Sequence, residues 1–192
     1  MTINAHARRL TDRAVVPLAR QLVRWGVTPN ELTLAGLVLT VVGVAVVLGL
    51  SPFFGALILT VGALTDTFDG AVARQTNAAS PLGAFYDSVG DRVSDGILLG
   101  GAAWLVRGDP LTFAAAIVAL VGAQVTSYAR AKAESLGWQA TVGLVERPER
   151  VILLLFAFGL EFVGIAVWLL AVGAVITVAQ RLRVVVEQAR VR

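Results

Sequence analysis

Four aspartates in one frame are the residues of this chain best suited to chemistry. They stand in the pattern Asp66-x2-Asp69-Gly70-x2-Ala73-Arg74-x8-Gly83-x3-Asp87-x3-Asp91. On helices, both spacings put the two carboxylates of a pair on one face, one turn apart, and Gly83 shares the face of Asp87 and Asp91. The short stretch from Gln75 to Pro81 lets two such helices run back to back, so that the pairs face each other at one depth. Four converging carboxylates in an apolar setting repel strongly when unpaired, and a hard divalent cation, or two, is the simplest way to keep them ionised. All-oxygen ligation favours magnesium or manganese over zinc. Arg74, next to the cluster, suits neutralising a phosphate, or anchoring a helix end. Gly70, Ala73 and Gly83 leave room for a nucleotide diphosphate, although small residues also simply let membrane helices pack closely. A paired metal site of this kind points to phosphoryl transfer.

The elements that position these residues are membrane helices. The chain has 192 residues, 57% of them hydrophobic and only 15% charged, with a mean hydropathy of +0.78. A soluble domain of this length cannot hide so much apolar surface, so lipid covers part of it. The absence of cysteine excludes disulfides, thiol catalysis and cysteine-ligated metal, and the single histidine, His6, is expected to have no role. Residues 32–50, 111–129 and 162–180 are uncharged runs long enough to span a bilayer. Three further apolar segments, 52–65, 82–106 and 151–160, are interrupted by or border charges, among them Asp66, Asp69, Asp87, Asp91, Arg92 and Asp95. The fold class expected is an all-α integral membrane protein of six transmembrane helices, one domain over residues 1–192 with its bundle at about 30–188.

An amphipathic interfacial helix at about residues 8–26 is expected to precede the bundle, with Arg9, Arg13, Arg20 and Arg24 on one side and Leu10, Leu18, Leu22 and Trp25 opposite. Asn30 is read as the N-cap of the first span. With the amino terminus in the cytoplasm, Arg74, Arg130, Lys132, Arg147, Arg150, Arg181, Arg183, Arg190 and Arg192 fall at cytoplasmic helix ends, and the outer loops hold only Arg107. That predicts a plasma-membrane protein with both termini and the acidic cluster facing the cytoplasm. A basic nucleic-acid binder would not carry such apolar runs. Trp104 and Trp168 suit the outer interface, Trp138 the inner one, and Asp95 is expected to pair with Arg92 in the interior.

The eight-residue aspartate frame resembles the signature of the CDP-alcohol phosphatidyltransferases. That resemblance implies six helices behind an interfacial helix, a homodimer, and a CDP-activated lipid as donor. It implies that Asp66, Asp69, Asp87 and Asp91 hold a pair of Mg2+ ions, with Mn2+ as the other candidate, and that Asp91 is also the general base. Asn30, Glu31, Leu32 and Thr33, with Gly70, Arg74 and Ser80, would contact the CDP-lipid; Ser80 stands where close relatives carry threonine.

The segments 126–134, 146–150 and 180–182 further resemble the phosphatidylinositol-phosphate synthase branch of that family. By that likeness Ser127, Arg130, Arg150 and Arg181 bind the phosphate and hydroxyls of inositol 1-phosphate, with Arg130 where a lysine is frequent. Independently, a phosphorylated polyol needs a basic pocket that a bare alcohol does not. Glycerol 3-phosphate would satisfy the same basic residues. An ion-coupled transporter is the reading from another class, but coupling sites lie near the midplane and these acids lie at one end.

Overall fold

The computed structural model describes residues 16–76 and 80–191, without the side chains of Thr67, Arg74 and Val191. The expected positions of Arg9, Leu10, Arg13 and Arg192 lie outside the described residues, as does the side chain of Arg74. Among the described residues there are seven helices and no strand: α1 (16–24), α2 (Pro29–Gly49), α3 (Pro52–Gln75), α4 (Pro81–Leu105), α5 (Pro110–Ser135), α6 (Arg147–Gly159) and α7 (Val163–Val191).

Sequence punctuation decides where they begin. Proline stands in the first turn of α2, α3, α4, α5 and α6, where its missing N–H costs nothing. Thr28, Ser51, Ser80 and Asp109 cap four of these with their side chains. The Asp109 carboxylate accepts from the Thr112 hydroxyl and from the N–H groups of Leu111 and Thr112, which holds its pKa below the usual carboxylate value. The N-cap of the first long helix is Thr28, not Asn30. Pro29 presets the first helical position, and Glu31 completes a capping box by accepting the Thr28 N–H at 2.8 Å. Asn30 is therefore already inside the helix.

Among the described residues, four helices are long and apolar enough to cross a membrane, over Pro29–Gly49, Pro52–Ala73, Pro110–Ser135 and Val163–Arg190. Two of the six expected spans fall short of that test for different reasons. Helix α4 has the length but carries Asp87, Asp91, Arg92 and Asp95, whereas α6 has only 13 residues, about 20 Å of helix at 1.5 Å per residue.

The packing is inside-out. Large apolar side chains such as Leu34, Phe53, Leu57, Ile165 and Leu169 are exposed, while Ala102, Ala116, Ala119, Ala123, Ala157 and Ala166 are buried around Leu99, Leu154, Phe158 and Leu170. Small residues let helices approach where lipid, not water, covers the outside. At the α2–α3 contact a Cβ on Gly55 would lie 2.6 Å from the Val47 nitrogen and 2.8 Å from the Gly43 carbonyl oxygen, so only glycine fits. Helix α4 packs against α2 and α5, α5 against α7, and α6 against α3 and α7. The acidic ends of α3 and α4 thereby meet the first turn of α6.

Candidate active site

Helix α3 delivers Asp66 and Asp69 near its end, and α4 delivers Asp87 near its start. One carboxylate oxygen from each of the three lies within 4.8 Å of the others. Asp69 is buried and accepts the Thr33 hydroxyl of α2 at 2.7 Å, which fixes its orientation. Asp91, one turn along α4 from Asp87, joins the cluster through basic partners instead. Its Oδ2 accepts from Arg92 at 3.2 Å. Its Oδ1 lies 2.8 Å from Arg147 Nη2 but has no aligned hydrogen bond. Arg147 also grips Asp66, at 2.7 Å through Nη1 and 3.4 Å through Nη2. Three convergent carboxylates plus a buried, unaligned Asp91 oxygen make an all-oxygen donor set that fits a hard divalent ion.

The expected Asp95–Arg92 pair does not form. Asp95, fully buried, turns toward α6 and accepts from Arg150 Nη2 at 2.5 Å, with Arg147 Nε at 3.8 Å. Arg92 turns back to its neighbour Asp91. The cause is the direction of the α4 face: it meets the first turn of α6, where two arginines three residues apart reach across. Arg147 is the residue that sequence reasoning treated only as a helix-end anchor. Its signal was present, because it shares a helical face with Arg150 in Glu146-Arg-Pro-Glu-Arg150.

Three cavities converge on these acids. The first, about 370 Å3, is lined by Asn30, Thr33, Asp69, Gly70, Ser80 and Asp87, together with Thr28 and Pro29. Glu31 and Leu32 do not line it. Successive helical residues are about 100° apart, so Asn30 and Thr33 face the cavity while Glu31 is spent on the Thr28 cap and Leu32 packs beside Ala19, Ala71 and Val72. The Ser80 oxygen accepts the Gly83 N–H at 3.0 Å and keeps its own hydroxyl proton for donation.

The second cavity, about 400 Å3, is an apolar groove walled by Leu37, Leu59, Leu98, Val151 and Leu155, with Asp66 and Arg147 at its polar end. The third, about 700 Å3, is lined by Asp87, Asp91, Arg92 and Arg147 and by all four residues expected to bind the acceptor, Ser127, Arg130, Arg150 and Arg181. Those four differ in availability. The Ser127 hydroxyl donates to the Ala123 carbonyl at 3.1 Å, and half-exposed Arg130 pairs with Glu134 at 2.9 Å. Arg150 is held by Asp95. Buried Arg181 donates to the carbonyls of Val142 at 2.8 Å and Thr126 at 2.5 Å, and to Glu146 at 3.4 Å.

The segment between α5 and α6, residues 136–146, is not helical. Its backbone is served by α7: the Thr177 hydroxyl accepts the N–H groups of Leu144 and Val145 at 3.2 and 3.1 Å, and the Gln188 amide exchanges two bonds with the Gln139 backbone.

A sequence model of the CDP-alcohol phosphatidyltransferases matches residues 26–180, which takes in both acidic helix ends, α6 and most of α7. The chain belongs to the CDP-alcohol phosphatidyltransferase family. Like the rest of that family it is an enzyme, and its aspartate frame is the part of the sequence that announced the membership. Two relatives within the family are phosphatidylinositol phosphate synthases. The one from Mycobacterium marinum is 39% identical over 92% of this chain and 81% of its own length. The one from Corynebacterium glutamicum is 38% identical over 94% of this chain and 87% of its own length.

Among solved structures, Mycobacterium tuberculosis phosphatidylinositol phosphate synthase with CDP-DAG bound aligns with a TM-score of 0.80 at 36% identity. That alignment covers 90% of this chain and 94% of the other. The same enzyme in complex with manganese and citrate aligns with a TM-score of 0.79, covering 89% and 88%.

Proposed function

We propose that this phosphatidyltransferase moves the phosphatidyl group of CDP-diacylglycerol, or of an ether-lipid counterpart, onto inositol 1-phosphate, giving phosphatidylinositol phosphate and CMP. The observation that carries this reading is the basic cavity opening on Asp87 and Asp91, into which Ser127, Arg130, Arg147, Arg150 and Arg181 converge. The names of the relatives and the CDP-DAG and manganese carried by the neighbouring crystal structures support it.

In this reading the nucleotide lies over Thr33, Gly70, Arg74 and Ser80, the acyl or ether chains enter the apolar groove, and the acceptor phosphate meets the arginines. Asp66, Asp69, Asp87 and Asp91 hold the divalent metal, magnesium as a pair of ions or manganese in its place. When bound, the metal supplies positive charge that draws electron density from the diphosphate and stabilises departing CMP. Asp91 takes the proton from the acceptor hydroxyl, whose oxygen forms the new bond to the β-phosphorus as the bond to the CMP oxygen breaks.

Purified protein with CDP-diacylglycerol, magnesium and a panel of acceptors, scored by CMP release, tests the assignment. Inositol 1-phosphate should give the highest kcat/KM. Two charge-assisted hydrogen bonds at about 1.5–3 kcal/mol each separate it from free inositol by roughly a hundredfold or more. A preference for glycerol 3-phosphate would keep the enzyme class and reject the headgroup, and a preference for free inositol would reject the phosphate pocket.

The proposed architecture is one domain, a homodimer of six-span subunits. α4 and α6 cross as part of the bundle, α1 lies along the interface, and both termini and the site face the cytoplasm. The sidedness rests on the basic residues at one set of helix ends. Because the chain has no native cysteine, Thr76→Cys and Gly108→Cys give clean reporters in intact cells. An impermeant thiol reagent added outside should label position 108 and spare position 76, and the reverse pattern would overturn the orientation.

A further inference from the structure

Arg147 occupies an unusual electrostatic position. It opens α6, directly after Glu146, and its guanidinium reaches both α3 and α4. One cation meets three carboxylates: Asp66 at 2.7 Å, Asp91 at 2.8 Å and Asp95 at 3.8 Å. Asp66 and Asp91 are two of the four groups that the proposed function assigns to the divalent ion, and the inference below rests on that assignment. A carboxylate oxygen gripped by a guanidinium at 2.7–2.8 Å is not free to turn to a second cation, and two cations sharing the same oxygens repel. Asp95 does not need Arg147, because Arg150 already holds it at 2.5 Å. The Arg147 Nε is buried without a hydrogen-bond partner. The Asp91 contact lacks hydrogen-bond alignment too, so the grip is an ion pair more than a fitted fork.

The same side chain lines the basic cavity beside Arg92, Ser127 and Arg130, and it lines the polar end of the apolar groove. A guanidinium leaving Asp66 and Asp91 thus has an adjoining polar space that an anion can fill.

We infer that Arg147 is the resident counter-ion of the acidic cluster when metal is absent, and that the divalent ion displaces its guanidinium into the basic cavity to meet the acceptor's phosphate. Arg147 then exchanges one ion pair for another. Metal and phosphorylated acceptor favour the same arrangement of one side chain, so each tightens the other, by the reciprocity of linked binding. A fixed clamp joining α6 to α3 and α4 would produce no such coupling. It would make metal binding weaker, or leave it unchanged, when the arginine is removed.

Binding of Mn2+ to the purified full-length chain in detergent, followed by the loss of the free-ion electron paramagnetic resonance signal, reads this without turnover. Arg147→Gln should bind Mn2+ roughly tenfold or more tightly than wild type in the absence of substrates, the equivalent of relieving one charge-assisted hydrogen bond. Arg130→Gln removes an equal charge from the same cavity but not from the acids, and should shift affinity by no more than about twofold, as an exposed pair does. Adding inositol 1-phosphate should tighten Mn2+ binding several-fold in wild type and not in Arg147→Gln.

Should the glutamine variant fail to fold, Arg147→Lys carries the test. A point charge cannot span Asp66 and Asp91 together, so this variant should fall between the two on both measurements. Unchanged or weaker Mn2+ binding in the Arg147 variants, with Asp87→Asn abolishing it, overturns the inference and leaves the metal site standing. Mn2+ binding that is indifferent to Asp87→Asn overturns the assignment of the acids itself.

Discussion

Asp91→Asn is expected to lower transferase turnover by on the order of a hundredfold or more, the usual cost of losing a positioned base, while binding of the CDP-lipid survives far better. The substitution keeps the volume and the planar shape of the side chain, so the α4 face facing α6 should keep its packing. It removes the one property needed to accept the acceptor's proton, the basic oxygen. Asp91 lines the large basic cavity, as Asp87 does, but stands outside the Asp66–Asp69–Asp87 group. Its Oδ1 lacks an aligned hydrogen bond and is held only by the Arg147 ion pair, so its lone pairs become available for a proton when that pair opens. Single-turnover CMP release and equilibrium binding of labelled CDP-lipid, on protein that elutes as a sharp species in detergent, give the two numbers. Near-normal turnover would remove Asp91 from the proton transfer. A parallel collapse of lipid binding would make it chiefly a structural or donor-binding group.

Arg150→Ala is expected to act first on stability. Asp95 is 1% exposed and Arg150 side chain 5% exposed, with the two charges 2.5 Å apart. Removing one partner strands the other charge in a medium that cannot solvate it, a loss of about 3–5 kcal/mol in comparable buried pairs. Arg147, whose Nε lies 3.8 Å from Asp95, compensates poorly for the missing arginine, because its Nη1 and Nη2 are already engaged by Asp66 and Asp91. The variant should therefore express poorly and inactivate in detergent at a markedly lower temperature than wild type.

The double variant Arg150→Met with Asp95→Leu replaces the pair by apolar groups of similar size and should recover most of that stability. It should not recover activity toward the phosphorylated acceptor. Wild-type thermal behaviour in Arg150→Ala, with only the acceptor KM raised, would show that Asp95 holds Arg150 weakly and that the arginine serves the acceptor directly.

Much of this was legible in the primary sequence, for identifiable reasons. The repeated pairing of a small polar cap with a following proline marks where α3, α4 and α5 begin, because both residues act within a single turn. The aspartate frame was equally readable, since one-turn spacing is a property of the helix itself. What escaped was long-range. Asp95 had a candidate arginine three residues away and chose one 55 residues away, because the orientation of a helix face is set by its neighbour and not by its own sequence. Arg147 looked like one more positive helix end until α6 was docked against α3 and α4. The reading of Asn30 as a cap failed on a local rule weighed wrongly: Pro29 and Glu31 together point to Thr28.

The non-helical run between α5 and α6 forms part of the wall of the basic cavity, yet it cannot hold its shape unaided. Backbone that is neither helix nor sheet has no repeating partners for its N–H and C=O groups, so a fixed contour needs partners from elsewhere. Helix α7 supplies them, with Thr177 under Leu144 and Val145, Arg181 on Val142, and Gln188 on Gln139. The fit is tight enough that a methyl on Gly143 would come within 2.7 Å of Thr177 Cγ2. The contour of the basic cavity is thus a cast taken in part from α7. Under the proposed function, headgroup preference is therefore tunable through Thr177 and Gln188, which support that wall without lining the cavity.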